Sequence, residues 1–150
     1  MANAKLGSTP SFGGAVAYKI DSAITLGANA ANEVGIGSSG SFYFVEEGSA
    51  AYTITLPSVT KFPGWHAKFI LKASPASYAI TIAAASGDED TIKGIEFSDA
   101  DTAAATDSDW DSVVFGTNGV AGDYVEFVSD GTNWYAHMHA SADNAFSQND

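Results

Sequence analysis

The stretch 122–139, Gly-Asp-Tyr-Val-Glu-Phe-Val-Ser-Asp-Gly-Thr-Asn-Trp-Tyr-Ala-His-Met-His, commits this chain to sheet. Two short runs within it, 124–128 and 134–138, are rich in aromatic and β-branched residues, which suit a pleated, half-buried surface. Asp130-Gly131 in the link between them tolerates positive φ at small cost, so the pair reads as a β-hairpin. Composition agrees. Only 16% of residues are charged, while Ala, Ser, Thr and Gly are plentiful, so there is little from which to build solvated amphipathic helices. A chain of 150 residues can bury a core as one domain without disulfides, and it has no cysteine to form them.

Further strands follow from period-two patterning. Residues 42–45 form one run, ended by Glu46-Glu47-Gly48. In 52–56, Tyr52, Ile54 and Leu56 point one way and Thr53 and Thr55 the other. After a Pro63-Gly64 turn, Ala67, Phe69 and Leu71 oppose His66, Lys68, Ile70 and Lys72, the pattern of a half-buried strand. Residues 78–82, 91–95 and 113–115 repeat the signal. The Asp-rich, Ala-rich stretch 97–111 reads as an exposed loop with one helical turn near Ala103. Strands at spacings of roughly 8 to 12 residues, with no strand-helix-strand rhythm, predict an all-β, antiparallel sandwich or barrel of jelly-roll type.

Upstream, 15–20 reads as a first strand and 28–33 as a helical turn. Residues 1–14 hold three Gly, one Pro and only Leu6 and Phe12 as large apolar side chains. That segment is either a disordered terminus or an extended arm lying on a neighbouring subunit, with Leu6 and Phe12 as anchors. The expected division is an arm over 1–14, a β-domain over 15–140 and a polar tail over 141–150.

Charge narrows the partners. Eighteen acidic against six basic residues give −12, which repels nucleic acid and anionic bilayers alike. No apolar segment follows the N-terminus as a secretory signal would require, and nothing approaches a membrane span.

Candidate reaction centres are sparse. His137 and His139 share one strand face, the spacing by which a strand offers two ligands to a metal. Gly131 six positions before His137 matches the start of a cupin motif, but no Glu and no second motif follow. Asp107, Asp109 and Asp111 imitate the opening of an EF-hand loop, yet Ser112 stands where its glycine belongs and Asn118 where its glutamate belongs. An irregular divalent-cation site in 99–111 stays open. Gly35, Gly37 and Gly40 fit G-x-G-x-x-G without the strand and helix that a nucleotide site needs. Trp65, Trp110 and Trp134 could stack sugars, although a tryptophan opening a strand, as Trp134 does, more often packs in a core. No Gly-x-Ser-x-Gly elbow marks a nucleophile.

The order of several segments carries a resemblance. Tyr52-Thr53-Ile54-Thr55-Leu56-Pro57, Gly64 leading into 67–72, Ala79-Ile80-Thr81-Ile82, Thr91-Ile92-Lys93-Gly94, and Ser129-Asp130-Gly131-Thr132-Asn133-Trp134 resemble, in that order, a β-module of tailed-bacteriophage virion proteins. The likeness covers about 42–136. It implies a structural or adsorption role without catalysis or cofactor, commonly as a homotrimer. A short arm before one β-domain suits a capsid decoration (cement) protein on the outer surface of the head, with the major capsid protein as partner. The alternative is a receptor- or carbohydrate-binding module of a tail fibre or head fibre, using Trp65, Trp110 and tyrosines as stacking rings.

Overall fold

The computed structural model describes residues 32–98 and 104–149. Leu6, Phe12, the arm expected over 1–14 and the strand expected over 15–20 lie outside the described residues. So does most of the helical turn expected over 28–33, whose last two residues are a strand instead.

Eleven strands among the described residues form two packed sheets: β1 Asn32–Glu33, β2 Ser41–Val45, β3 Tyr52–Thr55, β4 His66–Leu71, β5 Ile80–Ala83, β6 Ile92–Ser98, β7 Ala104–Trp110, β8 Ser112–Phe115, β9 Tyr124–Ser129, β10 Trp134–Ala140 and β11 Phe146–Asn149. One sheet runs β1-β3-β5-β8-β11 and the other β2-β4-β9-β10-β6-β7. The molecule is therefore the all-β sandwich its patterning indicates. The sheets are mixed rather than antiparallel throughout: β1 with β3, β3 with β5, β2 with β4 and β10 with β6 run parallel. A parallel pair needs a long crossover, which is usually a helix. For the first three pairs the crossover is itself a strand, because from β1 to β6 the chain changes sheet at every step; between β6 and β10 it comprises β7, β8 and β9.

Two expectations are corrected. Residues 104–110, read as loop, are strand β7, an edge strand paired with β6 through irregular register. Residues 141–149, read as a tail, make a turn and then β11, which pairs antiparallel with β8. In both stretches tertiary contact supplies what local composition lacks: the β7 end is anchored by buried Trp110, and β11 by Phe146 packed 4.8 Å from Phe115.

Alternation decides what is buried. Inward residues of the six-stranded sheet include Tyr43, Phe69, Phe127 and Trp134, and across the gap stand Ile54, Ile80, Ile82 and Phe115. Trp65 and Trp134 meet edge-to-face at 5.3 Å, and Phe127 adds a second edge contact to Trp134 at 6.4 Å. Each fully buried side chain of this size contributes about 1.5–3 kcal/mol. Among the described residues the indole N–H groups of Trp65 and Trp134 have no hydrogen-bond acceptor. Gly94 is required by closeness: a Cβ there would lie 2.7 Å from the Ala136 carbonyl oxygen and 2.7 Å from the Trp110 ring.

Carboxylates tie the loops. Glu47 accepts from the backbone N–H groups of Ala76, Ser77 and Tyr78, which holds its carboxyl below the ordinary value. Buried Asp123 accepts from Ser141 N at 2.8 Å, Ser141 Oγ at 2.6 Å and Val120 N at 2.8 Å, joining the approach to β9 to the end of β10. Three donors satisfy a carboxylate that would otherwise be costly to bury.

Candidate functional site

The hairpin 124–140 forms as its sequence dictates, with Trp134 opposite Ser129. Asp130 Oδ1 accepts from the N–H groups of Thr132 and Asn133, both at 2.7 Å, and Gly131 takes φ +93°. The N–H bonds from Asn133 and Thr132 hold the Asp130 carboxyl below its usual value, and its bond to the Tyr135 hydroxyl holds that phenol above its own. Buried Ser129 donates to the Val59 carbonyl at 3.1 Å and accepts from Gly131 N at 3.0 Å.

This turn fixes which way the β9 and β10 side chains point, and so composes the outer face of the six-stranded sheet. Three rows cross it. The first runs Phe97, His139, Tyr124, Ile70, Phe44; the second Ile95, His137, Glu126, Lys68, Phe42; the third Lys93, Tyr135, Val128, His66. His139 lies between Phe97 at 5.1 Å and Tyr124 at 4.6 Å, near-parallel to both. Lys68 Nζ lies 4.1 Å from the Tyr124 ring centroid and 3.4 Å from Glu126, and Lys93 Nζ is 2.9 Å from Asp109. Enclosure between rings, then the charges of Lys68 and His137, push the His139 imidazole below its ordinary pKa, with Glu126 opposing weakly.

The predicted chemistry can be placed against this geometry. His137 and His139 do share a face, but His139 is held between two rings, and no group of three or more His, Asp or Glu side chains able to hold a metal occurs among the described residues. Of the 99–111 carboxylates, Asp99 and Asp101 lie outside the described residues, as does the Asp107 side chain; Asp109 takes φ +93° and pairs with Lys93, while Asp111 accepts from Asp90 N at 2.8 Å. Gly35 to Gly40 surround a single 3-10 turn, Ile36–Ser38, which opens no α-helix. The tryptophan sugar platform does not form, since Trp65 and Trp134 are fully buried and Trp110 nearly so.

Pairing of Phe97 with His139 and Tyr124 was not legible in sequence, because it depends on the parallel β6–β10 register. The period-two signal placed His137 and His139 together and the local hairpin sets Tyr124 opposite His139, whereas nothing local pointed to Phe97. A cleft of about 710 Å³ beyond the ends of β1, β3 and β5 is lined by Val34, Ile36, Leu56, Pro57 and Ala84 with small polar neighbours, and among the described residues no charged side chain lines it. Among known proteins, no family model, curated protein or solved structure matches the chain.

Proposed function

We propose that this chain is a non-catalytic structural protein of a phage virion, a decoration (cement) protein that sits on the outside of the head as a homotrimer and braces the major capsid protein. The observation that carries the reading is where the virion-like segments fall. Tyr52–Thr55 is β3, 67–71 lies in β4, Ile80–Ala83 is β5, 92–94 opens β6, and the Ser-Asp-Gly step closes the β9–β10 hairpin. The segments whose order resembles the module are thus the framework of one sandwich rather than scattered loops. On the outer face of the five-stranded sheet Thr53, Thr81 and Ser147 stand in one row with buried Val114, and this row is small and uncharged, suited to weak contacts multiplied over many copies.

The test is co-sedimentation with undecorated heads, followed by heating. Pelleting at fixed stoichiometry and a higher temperature of genome release in decorated particles are expected. Protein left in the supernatant, or heads equally stable with and without it, overturns the cement role.

A further inference from the structure

The outer face of the six-stranded sheet has the composition of a subunit interface. Phe97 and Tyr135 are 41% exposed and Val128 40%, and half-buried Phe42, Phe44, Ile70, Ile95 and Tyr124 extend the same surface. Interface centres are enriched in such aromatic residues and depleted in unmatched charge. Among the described residues both lysines on this face are matched inside their own chain, Lys68 by Glu126 and Lys93 by Asp109.

That matching selects the occupant. Each copy carries −12 overall, and Glu47, Glu89, Asp90 and Asp111 lie on other parts of the molecule, so copies repel one another across most orientations. A surface that meets its own copy must carry almost no net charge, because any excess confronts itself. A strongly charged foreign partner would instead select an excess of one sign here. The rings are also fixed in advance: stacking of His139 between Phe97 and Tyr124, with Lys68 over the far ring, reduces the side-chain freedom lost on association.

We infer that the outer face of the six-stranded sheet is covered by the same face of sister copies, turned inward around a common rotation axis. The number of copies, three, rests on the reading above; the identity of the buried face does not. Three sheets around one axis would enclose Val128, Tyr135 and Phe97 and leave the Thr53 face outward.

The experiment is the solution mass of the full chain by sedimentation, with Val128→Glu on this face and Thr53→Glu on the opposite face. An assembly of several copies is expected for the parent and for Thr53→Glu, and the single-chain mass for Val128→Glu. A single-chain mass for the parent protein overturns the inference, as does an assembly that survives Val128→Glu. Should Val128→Glu fail to fold, Val128→Cys decides, because the chain has no other cysteine. Under mild oxidation Val128→Cys should cross-link between copies and Thr53→Cys should not; the reverse pattern overturns the proposal. No heads enter this experiment, so an assembly that forms yet fails to pellet with heads removes the cement role and leaves the interface standing.

Discussion

Along the same four strands, β2, β4, β9 and β10, one surface of the six-stranded sheet carries Tyr43, Phe69, Phe127 and Trp134, and the other carries Phe42, Lys68, Tyr124 and His139. The inner set is fully or almost fully buried and meets mostly edge-to-face, as Phe69 does Phe127 at 6.0 Å and Phe127 does Trp134. On the outer surface His139 stacks face to face with Tyr124 and with Phe97 of β6, whereas inside only Tyr43 and Phe69 stack. Inside, the opposite sheet supplies contacts on every side of a ring. Outside, each ring has only its neighbours across the strands, and stacking is how it hides its faces from water. Ring content alone therefore says little about role.

The sharpest way to break this comparison is to delete one ring from each side. Phe127→Ala should lower unfolding free energy by about 3–5 kcal/mol, the usual cost of emptying an aromatic core site. Phe97→Ala should cost about 1 kcal/mol or less, as expected for losing one partly exposed stacking contact. Urea denaturation of both changes in a Val128→Glu background keeps association out of the measurement. Equal losses would mean that the two surfaces do not differ in the way described.

A smaller effect probes the outer row itself. Tyr124→Leu keeps bulk on the sheet but removes the ring between His139 and Lys68. Combined with Lys68→Met in a double-mutant cycle, it should reveal a coupling of about 0.5–1 kcal/mol. A coupling indistinguishable from zero would reduce the Lys68–Tyr124 geometry to coincidence.

Much of the framework could be read from the chain. The β9–β10 hairpin, and the inward Tyr52, Ile54, Ala67, Phe69 and Leu71, follow from alternation and turn chemistry, which are local. What was not legible is long-range. That β2 pairs parallel with β4 depends on a strand of the opposite sheet serving as the crossover, and no window on the sequence reports it. β7 and β11 were missed because Asp, Ser, Ala and Asn have weak strand propensity, and edge pairing to β6 and β8 overrides it. Trp65 and Trp110 were open to two readings because a ring's burial depends on what folds over it. For the outer face, the presence of His137 and His139 was readable and the enclosure of His139 was not.

That enclosure carries the smallest expected effect. His139 is pushed below the ordinary imidazole value of 6.5, first by desolvation between Phe97 and Tyr124, then by the charges of Lys68 and His137, with Glu126 pulling the other way. A group that binds its proton less readily folded than unfolded makes stability rise with pH. The contribution is therefore complete above the unfolded imidazole value and is lost as pH falls through the lower folded value. Glu47, Glu89 and Asp130 are also held below their ordinary values, but those start at 4.5 for the glutamates and 3.8 for the aspartate, so their losses fall in a more acidic window. Unfolding free energy followed downward from neutral pH should show a shallow decline before the carboxylate transition, and His139→Gln should flatten that part of the curve alone. Direct titration of the three histidines by NMR sharpens the point. A His139 midpoint at or above the ordinary value would mean that the rings do not enclose it in solution, and the outer stack would then be four separate side chains rather than one ordered surface.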